Sequence, residues 1–291
     1  MEFIKITPCD RDIILPFLLA KNTYFCEYSF GNLVLWGSKL NYEYAIIRDT
    51  LLIKCEIFGR IIFLEPCGDL KSGVEVILDY CKANGILPVF GGCGLAFCEF
   101  IAENYPFEFT SAQRRAGFDY IYTREALAAL SGRRLHAKRN FINKYISLYG
   151  QPQWEYITES NLRQCVELYE GWLSRQSSPQ EYEDEKTAIY NCFNNFSELK
   201  FTGILLTANG KAAAFTMGER LNGSTFVTHI EKASEEFTGA YAVINNTFAQ
   251  LLDGYEYINR EDDMGLPGLR RAKLSYNPAF MGEKYSIWKK N

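Results

Sequence analysis

The chain has 291 residues, more than one domain usually holds, so two units of roughly 150 residues each are expected. Hydrophobic residues make up 47% and charged residues 23%, with a formal net charge of −4; that balance supports a large core and excludes disordered and fibrous classes. Nine cysteines without a CxxC spacing argue against a metal site or a redox pair, and read as free thiols in a reducing compartment.

The start, Met1-Glu2-Phe3-Ile4-Lys5-Ile6, has no basic leader ahead of an apolar core, so a cytoplasmic protein is expected. In chain order, Tyr42 to Arg48, Leu51 to Phe58 and Arg60 to Glu65 are short runs rich in Ile, Leu, Phe and Tyr, with turn signals at Asp49-Thr50 and Gly59. They predict an antiparallel meander. Leu70 to Ala83 has apolar residues at helical spacing (Val74, Ile77, Leu78, Cys81) and stops at Asn84-Gly85, a helix C-cap signal. A buried strand over Leu87 to Phe90 and a helix over Leu95 to Asn104 follow. The uncharged stretch 85–98 is interrupted by Pro88 and by glycines, and is too short to cross a bilayer.

The second half repeats the order. Helices are expected around Leu162 to Ser174 and Lys186 to Phe196, then strands over Thr202 to Ala208, Ala212 to Arg220 and Ser224 to Lys232. Asn209-Gly210 and Asn222-Gly223 join them, dipeptides that favour two-residue hairpins. Ala240 to Leu252 is an amphipathic helix, Tyr255 to Asn259 a strand, Gly268 to Leu274 a short helix and Lys284 to Lys289 a last strand. Gly150-Gln151-Pro152 marks a break, giving units 1–150, which includes a basic connector helix, and 151–291, which holds the expected site. Meander, helix, strand, helix is the order of the N-acetyltransferase fold. The expected fold class is α/β (α+β): two tandem GNAT-like units of mixed, mostly antiparallel sheets flanked by helices.

Three segments could carry chemistry. Thr238-Gly239-Ala240 ends a turn and opens a helix, whose unpaired N–H groups favour anions, and Gly239 would let a donor approach the backbone. Alternation along Ser224 to Lys232 puts Val227, His229 and Glu231 on one face, with His229 beside Glu231 as candidate bases for an amine that must lose a proton before it attacks. Asn259-Arg260-Glu261-Asp262-Asp263, a Gly-Pro turn and the basic run Arg270, Arg271, Lys273 would face opposite charges across one mouth of the sheet. Each has a plainer alternative: a simple helix start, solvated polar residues, a self-paired surface cluster. Two strips are basic. One holds Arg133, Arg134, Lys138, Arg139 and Lys144; the other, Arg270 to Lys290, has Glu283 as its acid. Both are candidate landing surfaces for an anionic ligand.

The run NREDDMGLPGLRRAKLSYNP, with HIEKAS and TGAY upstream and SGRRLHAKRNFINKY earlier, resembles the soluble bacterial family related to the catalytic C-terminal domain of phosphatidylglycerol lysyltransferases. The resemblance implies tandem acetyltransferase-like units akin to Fem-type transferases, which use aminoacyl-tRNA. It also implies that Glu231, Asn259, Glu261, Asp263, Arg270, Lys273 and Tyr276 lie at or near the site; with the strand and helix-start readings, Glu231, Glu261 and His229 are the expected catalytic residues, and Gly239, Asn259, Asp263, Arg270, Lys273 and Tyr276 are expected around substrate or donor. Without a membrane region, a soluble amine, a peptide or a cell-wall precursor is a stronger acceptor expectation than a lipid head group. Glu235 and Glu236 stand where a donor pyrophosphate would lie, which argues against tight coenzyme A binding. No tightly bound cofactor or metal is expected, and aminoacyl-tRNA or acyl-coenzyme A would be the co-substrate. The competing expectations are an aminoacyl-tRNA-dependent transferase, an acyl-coenzyme A N-acyltransferase, and a non-catalytic small-ligand-binding module on the same fold.

Overall fold

The computed structural model describes every residue except 177 and 291. Its strands follow the chain through two seven-stranded sheets. The first sheet takes β1 (Ile4–Lys5), β2 (Glu43–Ile47), β3 (Thr50–Ile57), β4 (Arg60–Phe63), β5 (Val89–Cys93) and β6 (Phe109–Gln113). The second takes β7 (Asp119–Thr123), β8 (Gln153–Tyr156), β9 (Thr202–Ala208), β10 (Lys211–Arg220), β11 (Thr225–Ala233), β12 (Tyr257–Asn259) and β13 (Phe280–Gly282). The chain then returns, and β14 (Tyr285–Lys289) inserts between β5 and β6 of the first sheet.

A cut at residue 150 therefore does not separate the sheets. β7, from before the cut, lies in the second sheet beside β12 and β13, while β14, from after it, completes the first. Each part of the chain lends a strand to the other.

The helices are α1 (Arg11–Lys21), α2 (Phe30–Leu35), α3 (Gly37–Leu40), α4 (Leu70–Asn84), α5 (Leu95–Asn104), α6 (Arg124–Ala129), α7 (His136–Tyr149), α8 (Leu162–Leu173), α9 (Glu183–Asn194), α10 (Phe196–Leu199), α11 (Ala240–Leu251) and α12 (Pro267–Leu274). They sort onto sheet faces by their apolar stripes. Val74 and Ile77 of α4 and Phe97 and Ile101 of α5 cover one face of the first sheet, with Phe63 and Phe90. Val243, Ile244 and Phe248 of α11, with Tyr145 of α7, cover one face of the second, with Phe226 and Ile258. Between the remaining faces lies a shared core, joining Leu51 and Ile53 of the first sheet to Phe215, Met217 and Ile230 of the second through α1, α2, α8 and α9. Among the described residues no helix is long and apolar enough to cross a membrane.

Local signals explain several boundaries. Asp69 caps α4 by accepting from the Ser72 amide at 2.6 Å, and Gly85 ends it in the left-handed region at φ 65. Asn209 and Gly210 both have positive φ (51 and 74), the geometry of the two-residue hairpin their sequence predicts. Asn222-Gly223 differs. Asn222 is 1% exposed, and its Oδ1 accepts from the Ser224 and Thr225 amides at 2.9 and 2.8 Å while its Nδ2 donates to the Thr23 carbonyl at 2.8 Å. A side-chain lock to the N-terminal segment makes this turn, not a left-handed Asn-Gly pair.

Candidate functional site

The parallel pairing of β11 with β12 runs from Thr225 opposite Tyr257 to Val227 opposite Asn259 and stops there. Beyond it β11 continues to Ala233 while the chain after β12 turns through Glu261, whose φ is 56, and Met264, whose φ is 49. A wedge opens between the two segments, and the polar motif residues collect at it.

The opposite edge of β11 carries a bulge. Gly218 pairs with Thr228 and Met217 with Ile230, so His229 is the extra residue. Gly218 sits here because a Cβ would collide with the Val227 carbonyl oxygen. The extra residue resets the alternation, and His229 and Glu231 do not lie side by side. His229 faces the shared core, its ring 5.2 Å from that of Phe201; Glu231 faces the layer of α7 and α11, where Asn245 of α11 donates to it at 3.2 Å.

On the first of these faces, His229 is held between two carboxylates, Nδ1 to Glu261 at 2.8 Å and Nε2 to Glu219 at 3.1 Å. Burial lowers its affinity for a proton, but the bonds to Glu219 and Glu261 outweigh it and raise the pKa to about 9. At neutral pH the ring is an imidazolium with both nitrogens donating. It anchors Glu261 rather than acting as a free base, which corrects the expected role. Glu219 also accepts from the Gly31 amide at 2.5 Å. Asn259 is fully buried; it donates to the Tyr24 carbonyl at 2.6 Å and to Asp119 at 2.9 Å and accepts from the Glu261 amide at 2.6 Å. Its bonds are used in shaping the wedge.

Asp119 belongs to a buried cluster that sequence reasoning missed. Lys284, between β13 and β14, reaches Asp119 at 2.8 Å and Glu27 at 2.6 Å, and its ammonium lies 3.5 Å from the Cys26 sulfur. Burial opposes its charge, yet Asp119, Cys26 and Glu27 hold it well above the ordinary lysine value. Cys26, Glu27 and Asp119 converge closely enough to ligate a metal, but the lysine ammonium already supplies the positive charge there. Nothing in the local sequence marks Lys284, because its partners come from distant segments.

On the second face, Arg260 donates to Glu231 at 2.7 Å, and its guanidinium lies 4.9 Å from the Tyr276 ring centre. Lys138 of α7 places its ammonium 3.9 Å from the same ring. Burial lowers the Lys138 pKa, and the neighbouring Arg260 lowers it further. Two cations on one tyrosine thus face a single carboxylate. Among the described residues, Arg260 Nη1 and Asn245 Oδ1 are buried without a hydrogen-bond partner, so one donor and one acceptor remain for a ligand. Burial pushes Tyr276 up to about 12. Arg260 lies inside the motif run but was not singled out; it stands at the head of the acidic run Glu261-Asp262-Asp263, which masked it.

The remaining motif residues support this face. Lys273 donates to the Arg260 carbonyl at 2.6 Å and to the Asp262 carbonyl, bracing the loop. Asp263, fully buried, accepts two bonds from Arg270 (2.7 and 2.9 Å), one from Tyr120 at 2.6 Å and one from the Gly265 amide at 2.9 Å. Despite burial these bonds hold its carboxyl well below the usual range. Both residues spend their bonding capacity on the loop.

Gly239 caps α11 at φ 90, but the space a donor would use is filled by the Phe141 carbonyl and by Tyr145 of α7. The glycine serves helix packing, contrary to the expected donor approach. The basic strip before Gly150 divides. Arg133 and Arg134 are exposed, Arg139 clamps the carbonyls of Leu130 and Gly132 behind α6, and Lys138 reaches the site.

Comparison with known proteins places these features beside several relatives. A family model described as phosphatidylglycerol lysyltransferase, C-terminal, matches residues 20–288. A conserved protein of unknown function from Bacteroides thetaiotaomicron is 34% identical, with a TM-score of 0.95 over 100% of both chains. L-PGS from Bacillus licheniformis (16% identity, TM-score 0.70, 100% of this chain and 95% of that one) and FemX (11%, 0.64, 100% and 98%) share the fold. An uncharacterized protein of Mycoplasmoides gallisepticum is 25% identical over 174 residues, 58% of this chain and 55% of its own length. The match thus spans about half of that curated relative.

Proposed function

The chain belongs to the phosphatidylglycerol lysyltransferase C-terminal family, and on that premise we propose that it is an aminoacyltransferase working at the wedge between β11 and β12. The donor is the ester of an aminoacyl-tRNA. The acceptor is an amine or hydroxyl of a small molecule, a cell-wall precursor or a lipid. The acceptor attacks the ester carbonyl, the new C–N or C–O bond forms, the bond to the ribose oxygen breaks, and that oxygen leaves with a proton.

The observation that carries this reading is the Glu231–Arg260 pair with Arg260 Nη1 left over. Arg260 and Lys138 suit an anionic group or the charge that develops on the carbonyl oxygen, since buried donors aimed at developing charge act without reorganisation. Glu231 Oε2 has one long bond, from Asn245 at 3.2 Å, and keeps acceptor capacity for the donor's ammonium or the acceptor's proton. Tyr276, wedged beneath both cations, fixes their spacing. The exposed Arg133 and Arg134 suit the tRNA backbone.

The test is transfer of label from a radiolabelled aminoacyl-tRNA pool into lipid-extractable and peptide fractions. Wild type is expected to transfer label. Arg260→Lys and Glu231→Gln should each lower turnover by about 10²-fold or more, the size of losing one positioned charge-stabilising group. No transfer from any aminoacyl-tRNA, with label moving from acetyl-coenzyme A instead, would overturn the reading. The coenzyme A alternative loses its main support because Phe141 fills the space before Gly239. Millimolar coenzyme A is therefore expected to leave the melting temperature unchanged, checked by calorimetry.

A further inference from the structure

One end of the first sheet, opposite Lys284, exposes large apolar side chains at the tips of adjacent turns. Phe58, in the β3–β4 turn, is 95% exposed; Phe107, between α5 and β6, is 90% exposed; Leu87 is 64% and Trp288 38% exposed. Sheet register places all four together. β4 runs parallel to β5 with Phe63 opposite Phe90, which brings the Phe58 turn to the level of Leu87. Trp288 pairs with Val89 and with Thr110, the Lys289 amide donates to the Pro88 carbonyl at 3.2 Å, and the Lys290 amide to the Glu108 carbonyl at 2.8 Å. At about 4.8 Å between strands, the row of tips from β4 across β5 and β14 to β6 is about 15 Å wide.

Two of these aromatics stand where the backbone disfavours them. Phe58 has φ 51, followed by Gly59 at φ 72, and Phe107 has φ 69. The first is the geometry that Asn209-Gly210 adopts elsewhere in this chain with residues that tolerate it. A bulky side chain in the left-handed region is held against a local cost, so a role outside the fold is the natural account. Exposed Arg60, Lys289 and Lys290 lie at the same level, against two acids: Glu108, bound to Lys289 at 3.3 Å, and exposed Glu56, two residues before Phe58. On a chain of net charge −4, this end is locally positive.

We propose that this end of the sheet docks on an anionic lipid bilayer, with Phe58 and Phe107 entering the interface and Arg60, Lys289 and Lys290 facing the headgroups. A protein partner would need pockets matched to separate protruding tips, whereas a bilayer conforms to any spacing and offers apolar depth beneath a negative surface. The docking does not depend on aminoacyl transfer, and its test uses no substrate.

The test is flotation of the full chain with vesicles of phosphatidylglycerol and phosphatidylcholine, and with phosphatidylcholine alone, at low and high salt. Wild type is expected to float with the anionic vesicles, less so at high salt. Phe58→Asp/Phe107→Asp should lower binding at least about tenfold, with unchanged circular dichroism and melting temperature because both rings are in solvent. Lys289→Glu/Lys290→Glu should lose binding to anionic vesicles by about tenfold and not change binding to neutral ones. Wild type that floats with neither vesicle, or a double-Asp variant that floats like wild type, would overturn the proposal. So would a solution dimer that the double-Asp variant dissociates, which would make this end an interface between copies.

Discussion

His229 lies between Glu219 and Glu261 with 1% of its side chain exposed, and that position makes stability depend on pH in a definite direction. Its pKa is raised from near the ordinary 6.5 to about 9. Below about pH 6.5 the ring is charged in folded and unfolded chains alike, and its bonds contribute in full. Between about 6.5 and 9 only the folded state keeps the proton, so the contribution fades, and above 9 it is gone. The difference is about 3 kcal/mol. Urea melts at pH 6 and 9.5 are expected to show that loss in wild type and a flatter response in His229→Gln; equal responses would refute it. Sequence alternation identified His229 and Glu231 but put them on one face. The bulge that parts them is set by the approach of Gly218 to Val227, a tertiary fact with no local signature. Lys284 reads in the sequence as part of a basic strip open to an anion, but it is 3% exposed and paired with Asp119 and Glu27, a burial with no local signature either.

At the scale of elements, long periodic segments were legible. Helix α4 with its Asn84-Gly85 stop, α5, α11, the β2–β4 meander and the β9–β11 hairpins all appear within a few residues of their predicted bounds, because helix and sheet periods and Asn-Gly or Gly stops are written locally. Some short elements were legible too, β12, α12 and β14 among them, but β6 and β8 were not. Strand β8 is exposed throughout and β6 largely so, and both exist because neighbouring strands supply their hydrogen bonds. One prediction belongs here. Adding a methyl at Gly218 drives Cβ into the Val227 carbonyl, so Gly218→Ala should cost about 1–3 kcal/mol through forced backbone shift. It should also move His229 and Glu231 together. Denaturant melts and the pH response of His229 check both, and a neutral substitution would show that the bulge is not anchored there.

For the whole molecule, the exchange of β7 and β14 and the shared core make one cooperative unit out of two sheets. A single unfolding transition is expected by tryptophan fluorescence and circular dichroism, and two separated transitions would contradict it. Lys284→Met leaves buried Asp119 and half-buried Glu27 without their cation, and should cost about 3–5 kcal/mol. Adding Asp119→Asn should recover part of that loss, whereas a simple packing defect at Lys284 would not be relieved.

The placement of β14 also bears on how the protein is made. Strand β14 fills the gap between β5 and β6, and 172 residues separate Gln113 from its partner Tyr285. At about 5–20 residues per second, β5 and β6 wait on the ribosome for roughly 10–30 s with their facing edges unpaired. Open strand edges of that kind template wrong pairings. The growing chain is therefore most in need of a chaperone while its N-terminal portion, already long finished, is still missing its keystone strand.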